Sequence, residues 1–220
     1  MPKLKSTDIA NNKGKIESAA LQVFVKQGFH GTSIRDIAQA GGVSIGNLYN
    51  YYKTKEEIYL AIIESYERRV QHLFAQTLRE VQDVFEPHGL ADLASRIRKI
   101  VYSEPDYWRL MYIDVTEFGN QHFAHSFRHL SANLTKLLGN KLAVPESKWK
   151  CKGVNPALAF TAIYQQFFTY FLVEKLFGGK QHLGVPDDEV IQQLVTMYSR
   201  GLAETNGRPM ARGAKAGGKK

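Results

Sequence analysis

The chain has 220 residues, 44% of them hydrophobic, which is enough for one large or two small domains with a real core. Its single cysteine, Cys151, excludes an intrachain disulfide framework and fits a reducing cytoplasm. The net charge of +8 is uneven: residues 1–57 hold eight Lys/Arg and five Asp/Glu, residues 208–220 hold five and none, and the stretch between holds sixteen of each. A basic excess on one end and a tail is the footprint of a polyanion partner.

Further classes fall away on pattern. The first fifteen residues contain no apolar core segment of a signal peptide. The most apolar stretch, 157–177, is interrupted by Gln165, Gln166 and Glu174, so no membrane span is expected. There is no Gly-rich phosphate loop, no G-x-S-x-G, no H-E-x-x-H and no Cys-x-x-Cys, so neither an enzyme nor a cofactor is expected.

In chain order, residues 1–12 are polar and predicted frayed; Lys3 and Lys5 there can reach phosphate or stay solvated. A helix follows over 13–27, with Ile16, Ala19, Ala20, Val23 and Phe24 on one face and Gly28 as a left-handed C-cap. The stretch 32–57, TSIRDIAQAGGVSIGNLYNYYKTKEE, organises the rest. Thr32 or Ser33 can cap a short helix, and Asp36 three residues beyond Ser33 makes a variant capping box. Gly41 and Gly42 supply a turn, and Ser44 can cap the next helix, to about residue 52. Thr54 and Glu57 form a capping box for a third. Two short helices around a Gly turn make a helix-turn-helix, whose second helix can enter the DNA major groove. On that helix Leu48 and Tyr52 can face inward. Ile45, Gly46, Asn47, Tyr49, Asn50 and Tyr51 are left outside, without an acid and with amides and phenols for base edges or phosphates.

Beyond it, a helix over about 55–85 is too long for the small domain alone and reads as a rod joining two domains. Helices are predicted over 92–101, over 105–118 with Ser103 as cap, and over 121–142. A loop over 143–155 follows, and then a helix over 157–177 with Pro156 in its first turn. Asp187, Asp188 and Glu189 open the last helix, which ends near 201–203. Residues 207–220 are Gly/Ala/Lys/Arg-rich and predicted disordered. The expected fold is all-α. A helix-turn-helix domain (1–57) is joined by a long helix to a helical effector-binding and dimerisation domain (58–206), in about nine helices.

From about residue 15 to 60 the chain resembles the TetR family of one-component bacterial transcriptional regulators. The match is carried by an apolar helix ending at Gly28 and Phe29, then TSIRDIA (32–38), AGGVS (40–44) and GNLYNYYKTKEE (46–57). Tyr52 stands where the family most often has Phe; it should still pack inward, its hydroxyl needing a partner. The resemblance implies that Thr32 and Ser33, at the first helix terminus, hold phosphate. It implies the same of Tyr49, Tyr51 and Lys55 from the other side of the groove. Arg35, Asn47 and Asn50 are the base-reading candidates, with an intrahelical ion pair as the alternative for Arg35. Ile45 and Gly46 would approach thymine methyls or backbone, and Ser44 caps the reading helix.

One helix-turn-helix reads too few bases, so a homodimer on a palindromic operator is expected. Phe160, Tyr164, Phe167, Phe168 and Phe171 on one helix, and Val190, Leu194, Met197, Tyr198 and Leu202 on the last, are candidates for its interface. By resemblance they form a four-helix bundle across the two-fold axis; the alternative is burial within one chain. Tyr107, Trp108, Met111, Tyr112, Phe118, Phe123, Phe127 and Tyr164 could line an adaptable pocket for a small apolar or amphipathic effector, or be plain core. Asp114 and Glu117 could select a cation or face solvent. His125 and His129, with His122 near, could share a metal, but no local cysteine or carboxylate joins them and no metal site is assigned. Cys151 among Lys148, Lys150 and Lys152 is a loop thiol, with a redox sensor as the alternative. The function expected is a ligand-released repressor; a DNA-binding activator or a nonspecific nucleic-acid-binding protein is the alternative.

Overall fold

The computed structural model describes residues 6–81, 84–125, 128, 156–178 and 184–204. Among them are eight helices and no strand: α1 (Ser6–Gln27), α2 (Ile34–Ala40), α3 (Ile45–Tyr49), α4 (Lys55–Glu80), α5 (Pro87–Ser103), α6 (Pro105–Phe118), α7 (Pro156–Leu176) and α8 (Asp187–Glu204). The predicted loop over 143–155, most of the predicted helix over 121–142, Lys3, Lys5 and the tail lie outside the described residues, and so do Phe127, His129 and Cys151.

The first three helices form the small domain. Ile16, Ala20 and Phe24 recur at i, i+4 and i+8 on α1 and are wholly buried. Gly28 ends the helix at φ +78°, a left-handed position, and its amide donates to the Phe24 carbonyl at 2.9 Å. Ser33 caps α2 in a full capping box with Asp36. Ser44 caps α3 by accepting the Asn47 amide at 3.1 Å. Leu48 and Tyr52, one turn apart, are buried as expected. The Tyr52 hydroxyl finds its partner in Glu17, to whose carboxylate it donates.

α4 runs out of this domain into the next. Ile58, Tyr59, Ile62 and Ile63 are buried at its start and Val70, Phe74 and Leu78 towards its end. One continuous buried cluster extends from Ile16 through Phe29, Tyr59 and Leu110 to Val195, so the two domains share a core rather than meeting across a wet cleft. α5 is the central helix of the second domain, packed on α7, α8, α4 and α6.

Several boundaries differ from expectation. α1 begins at Ser6, seven residues early, and near its start Asn12 Nδ2 donates to the Tyr51 hydroxyl at 3.0 Å. α4 ends at Glu80, and α5 begins at Pro87, where proline suits a helix's first turn. Ser103 does not cap α6; its hydroxyl donates back to the Ile100 carbonyl. Glu57 takes the Lys53 amide at 2.6 Å, one residue before the Thr54 cap, so the box at α4 closes one step wider than expected.

Candidate nucleic-acid interface

α3 presents its outer side as the sequence requires. With Leu48 fixed inward, Ser44, Ile45, Gly46, Tyr49 and Asn50 are exposed and Asn47 is half-buried. Nothing lies within 4 Å of where a Gly46 Cβ would stand, so backbone there is open to close approach. Ile45 and Tyr49 are large apolar groups left 38% and 42% exposed. Arg35 and Gln39 are exposed on α2, and Lys13 and Lys15 on α1. Lys53 is exposed too, its ammonium donating to the Tyr49 carbonyl at the end of α3 at 2.8 Å. The Tyr51 hydroxyl accepts from Asn12, which fixes its ring but leaves its own proton to donate.

Three expected phosphate ligands are spent elsewhere. Thr32 is 3% exposed, and its hydroxyl donates to the Gly28 carbonyl at 2.6 Å. The Ser33 amide and hydroxyl both donate to Asp36 Oδ2, at 2.8 and 2.6 Å. Lys55 donates to the carbonyls of Phe29 and Thr32, at 2.7 and 2.8 Å, with its ammonium 4.2 Å from the centre of the Phe29 ring. These three residues build the turn between α1 and α2. The physical reason is that this turn leaves backbone carbonyls and amides without helix partners, and the nearest polar side chains take them.

The same turn is gripped from the second domain. Glu117, at the end of α6, accepts the amides of Phe29 at 3.1 Å and His30 at 2.7 Å. Phe118 beside it packs against Phe29 at 4.6 Å, Tyr59 at 5.3 Å and His122 at 4.7 Å between ring centres. Tyr59 is fully buried and donates to the Leu110 carbonyl at 3.0 Å. Asp114, fully buried, accepts the amides of His122 and Phe123 at 3.2 Å and faces His122 Nδ1 at 2.6 Å. Asp114 and Glu117 are therefore structural caps, the first fully buried and the second half-exposed over the turn it holds. No local spacing links residue 117 to residue 30, so the sequence carries no signal of this role.

The expected effector residues are not one group. Trp108 and Phe123 are buried core, and the Trp108 indole donates to the Val101 carbonyl at 3.0 Å. Phe118 belongs to the interdomain joint. Tyr112 is 41% exposed and faces Phe177 rather than an interior space. Met111 and Tyr164 are half-buried, and burial pushes the Tyr164 phenol well above its usual value. Phe127 lies outside the described residues.

The expected dimer residues divide as well. Phe160, Phe167, Phe171 and Val190 are buried within the single chain, and both of their helices pack against α5. Leu194 and Tyr198 are half-buried, while Met197 is 67% exposed. Leu158, unexpected, is 65% exposed on α7. α7 is apolar nearly all round, so periodicity could not say which side faces its own chain. Among the described residues no helix is long and apolar enough to cross a membrane.

Among the described residues, an all-α fold with an exposed, acid-free α3 and a long helix into a second helical domain is built like a one-component DNA-binding regulator. Comparison with known proteins agrees. The family described as "Bacterial regulatory proteins, tetR family" matches residues 16–62. The chain is 34% identical over 103 residues to the HTH-type transcriptional regulator RutR of Escherichia coli, an alignment that spans 47% of this chain and 46% of RutR. The chain thus spans about half the length of that curated relative. It is 22% identical over 194 residues to the uncharacterized regulator YvkB of Bacillus subtilis, covering 86% of this chain and 96% of that one. A Mesorhizobium loti protein assigned to the TetR family shares the fold at a TM-score of 0.64 and 17% identity, over 90% of this chain and 97% of that one. Residues 16–62 thus match the TetR family, and the chain shares its fold with a solved protein assigned to that family.

Proposed function

We propose that the chain is a sequence-specific DNA-binding transcriptional regulator that binds a palindromic operator as a homodimer and releases it when a small effector binds. The observation that carries this reading is the outer side of α3. Ile45, Gly46, Tyr49 and Asn50 are exposed there, while Leu48 and Tyr52 of the same segment are buried. Asn50, Asn47 and Arg35 read base edges, since an amide pairs with adenine and a guanidinium with guanine in two-bond geometry. Tyr49, Tyr51 and Lys53 hold phosphates and set register.

The partner copy docks on the outer sides of α7 and α8, where Met197 offers exposed apolar surface. Release is a population shift. An effector in the second domain favours a spacing of the two reading helices that one duplex cannot satisfy. Two links carry the shift: α4, which belongs to both domains, and the end of α6, through Glu117 and Phe118.

Selection of DNA fragments by the purified protein, followed by sequencing, tests the reading. A palindrome with half-sites about one or two helical turns apart is expected. Asn50→Ala should then cost about 1–3 kcal/mol on that site and relax one base position. Wild-type affinity for this variant in a shift assay would remove α3 as the reading element.

A further inference from the structure

The two tyrosines that follow α3 both reach α1, and they are bonded in opposite senses. Tyr52, 5% exposed, donates its hydroxyl proton to the Glu17 carboxylate, which can only accept. Tyr51 accepts instead: Asn12 Nδ2 donates to its hydroxyl at 3.0 Å, across 39 residues of sequence. A phenol that receives an N–H on its oxygen still has its own proton to give. Among the described residues no acceptor takes that proton. Tyr51 is only half-buried, so a partner can still reach it.

The surroundings suit an anionic partner. Lys13 and Lys15, next to Asn12 in α1, are exposed. The Lys13 ammonium lies 5.3 Å from the centre of the Tyr52 ring, so this turn of α1 runs beside the segment that leaves α3. Tyr49 and Asn50, within two residues of Tyr51, are exposed as well. Three effects then favour a phosphate at the Tyr51 hydroxyl. A hydroxyl that accepts one hydrogen bond donates the next more strongly. An O–H bond to a charged oxygen is about twice as strong as one between neutral groups. A side chain already held in place has less freedom to lose when its partner arrives.

We propose that Asn12 is a positioning residue for DNA binding: its amide holds the Tyr51 phenol so that the phenolic proton is offered to one phosphate of the duplex backbone. This rests on the regulator reading above, in which Tyr51 holds a phosphate. It adds a residue of α1, outside the helix-turn-helix, on which that contact depends.

The test uses the full chain and the operator recovered by fragment selection, with uncharged methylphosphonate linkages placed one at a time along each half-site. Each linkage that replaces a contacted phosphate weakens wild-type binding. Tyr51→Phe should bind the natural duplex about tenfold more weakly and should lose the penalty at one linkage only. Asn12→Ala should lose the penalty at that same linkage, bind at least about threefold more weakly, and add nothing further when combined with Tyr51→Phe. Alanine is favourable inside a helix, so Asn12→Ala should fold and melt close to wild type. Asn12→Asp keeps the shape but can only accept; it should draw the Tyr51 proton to itself and lose the same contact. A residue that merely braced α1 would lower affinity and leave the pattern of sensitive linkages intact. That wild-type pattern in Asn12→Ala, the same pattern in Tyr51→Phe, or losses that add in the double variant would each overturn the proposal. Because wild type must first select an operator, these failures leave the regulator reading standing, whereas failure to select any operator removes that reading and this proposal with it.

Discussion

The carboxylate of Glu117, at the end of α6, accepts the backbone amide of His30 at 2.7 Å, across 87 residues of sequence. It takes the Phe29 amide as well, at 3.1 Å, and lies 2.5 Å from where a Gly28 Cβ would stand. Glycine is thus required at 28 twice, for its φ of +78° and for the room it leaves the carboxylate. Glu117→Ala strips two amides of a charged acceptor and should cost about 1–3 kcal/mol in urea denaturation. Gly28→Ala should cost at least about 1 kcal/mol from backbone strain alone, with the clash in addition. In the double variant the clash is gone, so the two costs should sum to more than the double variant loses. Additive costs would mean that the carboxylate and the turn do not touch in solution.

Lys55 and Lys53 separate fold from DNA binding. Lys55 seals the α1–α2 turn through two carbonyls and the Phe29 ring, whereas Lys53 is exposed at the end of α3. Lys55→Met should lower the melting temperature and leave the salt dependence of operator binding unchanged. Lys53→Ala should barely affect stability and should flatten the slope of log affinity against log salt by about 0.9, the value for one neutralised phosphate. The reverse pattern would make Lys55 the phosphate ligand and Lys53 a bystander.

The small domain was legible because its signals are local. The Ser33 and Ser44 caps, the Gly turn, and the Leu48 and Tyr52 pair each rest on residues within a few positions, and each stands where expected. The polar roles around it were not. Thr32, Ser33 and Lys55 carry groups that suit a phosphate equally well as a turn carbonyl or a neighbouring carboxylate, and only the fold decides which they meet. α7 failed for a different reason: with Phe160, Phe167 and Phe171 on one side and Leu158 on the other, its composition gives no inside.

Acid should loosen the small N-terminal domain through Asp36. Hydrogen bonds from the Ser33 hydroxyl and amide hold its carboxyl below the usual carboxylate value. The folded group therefore binds a proton less readily than the unfolded one. The stability it lends is present above the unfolded value and is lost as pH falls through the lowered folded value. Ser33→Ala removes the cap, should cost about 1 kcal/mol at neutral pH, and should shrink this acid-dependent loss. Denaturation midpoints of wild type and variant, measured from pH 6 downward, should converge. A constant gap across that range would mean that the Ser33–Asp36 box does not operate in solution.

Two residues that the sequence groups in one interface should behave oppositely. Met197 is 67% exposed on α8, and Phe167 is fully buried on α7 against the protomer's own core. Met197→Glu puts a charge on the outer surface, where the fold of one protomer does not need the side chain. Its melting temperature at high dilution should match wild type, while sedimentation should show a shift towards monomer, and operator affinity should fall with it, since one reading helix cannot span two half-sites. Phe167→Ala opens a cavity in the protomer and should cost about 3–5 kcal/mol whatever the concentration. If Met197→Glu stays dimeric while binding the operator normally, the outer side of α8 is not where the second copy docks, and the interface must be sought on another face of the protomer.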